Sequence, residues 1–144
     1  MFWIALLLFS ALPVSFAGDD MGWVFCSEEE PDTSVCYLRV SDSCYACLHP
    51  IEAACGNESQ DPVGFANCYC TFPNQSWNGI EQCLNDPTTG CVSDQLDQTL
   101  ILNAYGVECD TSARHDLWHS EVCSAATTDP VVLQLVDGTC DGNV

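Results

Sequence analysis

Ser41-Asp42-Ser43-Cys44-Tyr45-Ala46-Cys47-Leu48-His49-Pro50-Ile51-Glu52-Ala53-Ala54-Cys55-Gly56 decides how this chain is read. Cys44, Cys47, Leu48, Ile51 and Cys55 recur three or four residues apart, the spacing of one helical face. Three cysteines on that stripe make the helix a spine that can be tied to its neighbours along its length. Asp42 or Ser43 can cap its start and Gly56 can stop it. Pro50 removes a backbone donor and disfavours helical geometry at the residue before it. The spacing therefore predicts two short helical pieces kinked at His49-Pro50, with His49 as a cap residue.

Downstream, Asp61-Pro62 is an N-cap followed by proline at the first helical position, predicting a short helix to Asn67. The pair Cys68-Tyr69-Cys70 would be heavily strained as a closed ring, so each sulfur goes to a different segment. Trp77, Ile80, Cys83 and Leu84 restore helical spacing, with Asn78 and Glu81 placed for a capping box. Asp86 to Gly90 reads as a turn. A further helix is capped by Ser93, faces Leu96, Leu100, Ile101 and Ala104 inward, and ends at Gly106 before Cys109.

Outside this 44–109 unit the chain reads as two appendages. In 18–43, the runs Trp23–Cys26 and Val35–Val40 flank a Pro/Asp turn, predicting a β-hairpin with Cys26 and Cys36 on its two arms and their pairing left open. In 110–144, a short helix over Ala113–Val122 and a β-like run Val131–Val136 are tied down by Cys123 and Cys140. The expected fold class is mainly α: a small disulfide-rich domain of short helices around a cystine core, with a minor β-hairpin or strand appendages.

Composition bounds the compartment. Residues 1–17 carry an uncharged apolar run, then Ser15 and Ala17, which reads as a secretory signal removed after Ala17. An even count of 12 cysteines in a secreted chain predicts six structural disulfides. The Cys44/Cys47 spacing lacks a thioredoxin-like context, and oxidised sulfur is no zinc ligand. There are 21 acidic residues against Arg39 and Arg114 and no lysine, for a net charge of −19. That excludes a nucleic-acid footprint and an anionic membrane surface. The last residues are polar, so no membrane anchor is expected there. Asn57-Glu58-Ser59 and Asn74-Gln75-Ser76 are N-glycosylation sequons in polar stretches. His115 and His119 lie one helical turn apart near Asp116 and Glu121, a candidate divalent-metal pair. No GxSxG or HExxH motif points to a hydrolase, and no enzyme activity is expected.

The order C-x2-C-x7-C-x12-C-x-C-x12-C-x7-C-x17-C from Cys44 to Cys109, with its central CxC and closing LNAYGVEC, resembles the CFEM domain, a fungal extracellular module. The resemblance implies a helical basket held by four disulfides, at the fungal wall or outside the cell. Some members of that family bind haem and others act on host plants. The haem-ligating aspartate of the family precedes the CxC, where this chain carries Ala66-Asn67; Asp61 is the nearest acid upstream. A haem site here would use Asp61 with Phe65, Tyr69, Phe72 and Trp77 as an apolar platform, and no stoichiometric haem or other cofactor is expected. The leading expectation is a secreted, monomeric, non-enzymatic binding or effector-like host-interaction protein. Its partner would be an extracellular protein, a cell-wall component or a small molecule. A haem or iron-acquisition carrier is the first alternative, and a small secreted hydrolase or metal enzyme the second.

Overall fold

The computed structural model describes residues 23–30, 36–92 and 98–140. The proposed signal at 1–17, the cap at Ser93 and the inward Leu96 lie outside them. Within these residues the chain is mainly helical. Strands β1 (Phe25–Ser27) and β2 (Leu38–Val40) come first. Helices α1 (Asp42–Ala53), α2 (Pro62–Tyr69), α3 (Gln75–Asn85), α4 (Gln98–Asp110) and α5 (His115–Ala125) follow. Short 3-10 segments occupy Pro87–Thr89 and Pro130–Val136.

The decisive stretch forms one helix, not two. Its cap is Ser41, whose Oγ accepts the Cys44 N–H at 3.3 Å. Pro50 lies inside α1, and the residue before it keeps helical geometry. His49 stacks on Tyr45 one turn earlier, with centroids 4.7 Å apart, and takes the edge of Trp23. His49 is thus a packed mid-helix residue rather than a cap. Gly56, at φ 91°, ends the segment in a conformation that costs other residues far more.

The cystine stripe does what its spacing implies. Cys44 bonds Cys91, Cys47 bonds Cys83 and Cys55 bonds Cys68, so α1 is fastened to α2, α3 and the turn after α3. Cys70 bonds Cys109, separating the two sulfurs of the CxC as predicted. The bridges spanning 47 and 39 residues restrict the unfolded chain most, by about 4 kcal/mol each in the loop-entropy picture.

The two appendages differ from expectation in instructive ways. β1 and β2 do pair, but in parallel, with Phe25 opposite Leu38 and Ser27 opposite Val40. A Pro-Asp turn signal suggested reversal, but turn-forming residues do not by themselves fix the direction of the second strand. Arg39 of β2 donates to the Ser27 and Glu30 carbonyls at the end of β1 and just beyond it. The Cys26–Cys36 bond closes within this piece, and Cys123–Cys140 closes within the C-terminal piece. Neither bridge reaches the central unit; packing and a few hydrogen bonds hold both pieces on it.

Val131–Val136 is a 3-10 helix rather than a strand. Asp129 caps it by accepting the Val131 N–H, Pro130 opens it, Val132 and Leu135 turn inward three residues apart, and Val136 is buried beside them. It packs on α4 at Gly106. A Cβ there would stand 1.8 Å from the Leu135 carbonyl oxygen. Gly106 is therefore a close-approach position inside α4, not the helix stop its type suggested. Leu100, expected inward, is 46% exposed, because the buried face of α4 runs through Ile101, Leu102, Tyr105 and Cys109.

The core is aromatic. Tyr105 is buried among Tyr69, Trp77 and Trp118, with Phe65 and Phe72 closing the cluster. Its hydroxyl donates to the Tyr69 carbonyl at 2.8 Å, so the ring buries its full area without leaving its polar tip unpaired.

Candidate functional site

An open cleft of about 540 Å³ lies where the ends of α1 and α2 meet the start of α3. Ile51, Ala54 and the Cys55–Cys68 bridge give it an apolar side; Asn67, Thr71, Asn74, Gln75 and Ser76 give it amides and hydroxyls. Two local devices fix its shape. Asn74 caps α3, accepting the Trp77 N–H at 2.9 Å and donating from Nδ2 to the Cys68 carbonyl at 2.6 Å. This replaces the expected Asn78/Glu81 capping box. Thr71 donates to the Asn67 carbonyl at 2.7 Å, closing the other wall. Asn67 and Gln75 leave their amides exposed. In a chain with 21 acids, no ionisable side chain of the described residues lines this cleft.

The acids instead include a group inside the fold that residue type gave no reason to expect. Glu52 is fully buried on α1 and accepts the Val24 N–H at 3.2 Å through both oxygens. Burial raises its pKa, opposed by His49, whose Nδ1 lies 3.4 Å away, and by the backbone donors. Glu108 is buried on α4, and no N–H or O–H of the described residues reaches its Oε2. Its hydrogen-bonding neighbour is the Glu58 carboxyl, so the two can bond only while one keeps a proton. Burial first, then Glu58, pushes Glu108 up to about 9. The buried Tyr69 hydroxyl lies in the field of both Glu52 and Glu108 and is raised well above its ordinary value, mainly by burial.

Arg114 has a structural assignment. Its Nη1 and Nη2 each donate to Glu121 at 2.9 Å, and Nη1 also reaches the Cys70 carbonyl at 2.9 Å. Glu121 in turn accepts the Phe72 N–H at 2.9 Å. Arg114, chiefly, holds Glu121 below the usual carboxylate range. The fork anchors α5 to the Cys70–Phe72 segment, which also supplies Thr71 to the cleft.

The residues proposed for haem are not assembled into a platform. Phe65, Tyr69, Phe72 and Trp77 are core residues, each at most 5% exposed, and Asp61 is an exposed cap accepting the Gly64 N–H at 3.0 Å. In this geometry the four rings are part of the interior. His115 and His119 do share α5, but His115 pairs with its neighbour Asp116 at 2.9 Å while His119 lies 3.4 Å from Thr139. Among the described residues no group of three or more His, Cys, Asp or Glu is arranged to hold a metal. All twelve cysteines fall among the described residues, and all are disulfide-bonded. No described helix is long and apolar enough to cross a membrane.

Comparison with family models, curated proteins and solved structures found no match for this chain. The structure is that of a cysteine-rich domain with six paired bridges, and the CFEM resemblance stands on the cysteine framework alone.

Proposed function

We propose that this chain is an extracellular, non-catalytic binding protein whose cleft takes a neutral, hydroxyl-rich ligand of the oligosaccharide kind found in cell walls. The observation that carries this reading is the composition of the cleft. A chain with a formal net charge of −19 has carboxylates to spare for a cation site, yet among the described residues this concavity presents amides, hydroxyls and an apolar wall. Amides can donate and accept at once, which suits hydroxyl groups that do the same. The apolar wall suits the C–H face of a sugar ring. The bridge at Cys55–Cys68 and the capped start of α3 hold the walls before any ligand arrives, lowering the ordering cost of binding. Six disulfides fit an oxidising compartment and support the secreted assignment.

Calorimetric or NMR titration with β-linked glucose and N-acetylglucosamine oligomers tests this, with anionic and cationic oligomers as comparators. Binding of a neutral oligomer should weaken about five-fold in Asn67→Ala and in Gln75→Ala, the loss of roughly one hydrogen bond of about 1 kcal/mol each. The reading is wrong if no neutral oligomer binds, or if both substitutions leave the affinity unchanged.

A further inference from the structure

The two sequons sit in opposite local geometries, and the difference bears on the cleft. At the first, Asn57 Oδ1 accepts the Ser59 N–H at 2.8 Å and the Ser59 hydroxyl at 2.5 Å. Hydroxyl and carboxamide are thus already joined within three residues. No bond from the described residues engages Asn57 Nδ2, and the segment is a partly exposed turn between α1 and α2. At the second, Nδ2 is the donor to the Cys68 carbonyl and Oδ1 is the α3 cap. Ser76 is 6% exposed, with its hydroxyl 3.7 Å from Cys55 Sγ instead of turned to the amide.

We infer that Asn57 is an N-glycan acceptor and that Asn74 is left unmodified, so that the glycan lies beside the cleft and not in it. The transfer forms a bond from Asn57 Nδ2 to the anomeric carbon of a lipid-diphosphate-linked oligosaccharide. The carbon–oxygen bond to the diphosphate breaks, and one Nδ2 proton is released. A hydroxyl bonded to the carboxamide oxygen is the arrangement in which that nitrogen is presented, and at Asn57 it spans only two residues. It can therefore form in the nascent chain before the bridges close. At Asn74 the same atoms are drawn into the helix cap, itself a local structure. A sugar on Nδ2 would compete with the Cys68 bond and fill the cleft that Asn74 lines.

The inference rests on the secreted reading for its compartment, so the experiment fixes the route. The full chain is expressed behind a standard secretion leader in a eukaryotic host, and site occupancy is read by peptide mass spectrometry after enzymatic deglycosylation in heavy-oxygen water. The expected result is one glycan, at Asn57, and none at Asn74. In Asn57→Gln, secreted with all six bridges, the glycan should disappear and not move to Asn74. Ser59→Ala should also abolish it, while Ser76→Ala should leave the pattern unchanged. An occupied Asn74 in the parent chain, or an unmodified Asn57, overturns the inference. Oligosaccharide titration of the same sample before and after deglycosylation is a separate readout, so failure of either proposal is seen independently of the other.

Discussion

Replacing Glu108 with glutamine should remove a built-in alkaline weakness. In the fold, burial and the neighbouring Glu58 push Glu108 up to about 9, whereas in the unfolded chain it ionises near its ordinary value of 4.5. A raised folded value means that its stabilising contribution is complete below 4.5 and is lost progressively as pH rises toward 9. The limiting slope is about 1.4 kcal/mol per pH unit. Glu58 beside it is partly exposed to solvent, so about half that slope is expected, or roughly 2 kcal/mol between pH 5 and 8. At about 3 °C per kcal/mol this is a fall of about 6 °C in melting temperature across the interval. Glu52 titrates in the same direction, so a pH dependence in the parent chain does not by itself identify the group. The variant does. Its glutamine side chain keeps the shape, and the new amide can donate to Glu58 without needing a shared proton. Calorimetric melts of both proteins at half-unit steps from pH 5 to 8 should show a clearly flatter slope for Glu108→Gln, with the variant the more stable of the two at pH 8. Parallel slopes would refute the assignment and leave Glu52 or overall charge repulsion as the cause.

Three further outcomes follow from the packing. Arg114→Gln, which breaks the fork to Glu121, should cost about 2 kcal/mol at pH 7; because Glu121 is held low, the deficit should shrink as pH falls through its folded value, and melts at pH 7 and 3 will show whether it does. Gly106→Ala gains helix propensity of about 1 kcal/mol but drives a methyl into the Leu135 carbonyl, so a net loss of about 2–3 kcal/mol is expected in denaturant titration; a variant as stable as the parent would contradict the close approach. Alkylation without reductant should label no cysteine, and reduction should abolish the cooperative melt, since net stabilities of about 5–15 kcal/mol are comparable with what six bridges contribute.

Much of the helical framework was legible because cysteine and apolar spacing reported the same face. Cys44, Leu48 and Glu52 lie at four-residue intervals, so the pattern that located α1 also pointed Glu52 inward; its residue type argued against reading it that way. Glu108 hid for the same reason, three residues beyond Tyr105 and seven beyond Ile101 on the buried face of α4. Parallel pairing of β1 and β2 was illegible because turn residues indicate that the chain bends, not to which edge it returns. The 3-10 segment at Val131–Val136 was illegible because six apolar residues satisfy a strand and a tight helix equally. The cleft left no signature at all: its amides are ordinary loop and cap residues, brought together only by the Cys55–Cys68 bond and the Asn74 cap.

Arg39 lies between Cys36 and Cys44, and Arg114 between Cys109 and Cys123, so each arginine separates two closed disulfide blocks. With no lysine in the chain, a trypsin-like protease has only these two bonds to cut. Both are guarded, one by the strand that contains Arg39 and the other by the Glu121 fork at the start of α5. While the fold is intact, such an enzyme in the surrounding fluid finds little to digest. Once the packing loosens, two cuts suffice to release three separately cross-linked pieces without breaking a single sulfur–sulfur bond. Persistence in a protease-rich medium is thus set by how the blocks dock, and the bridges decide only what survives afterwards.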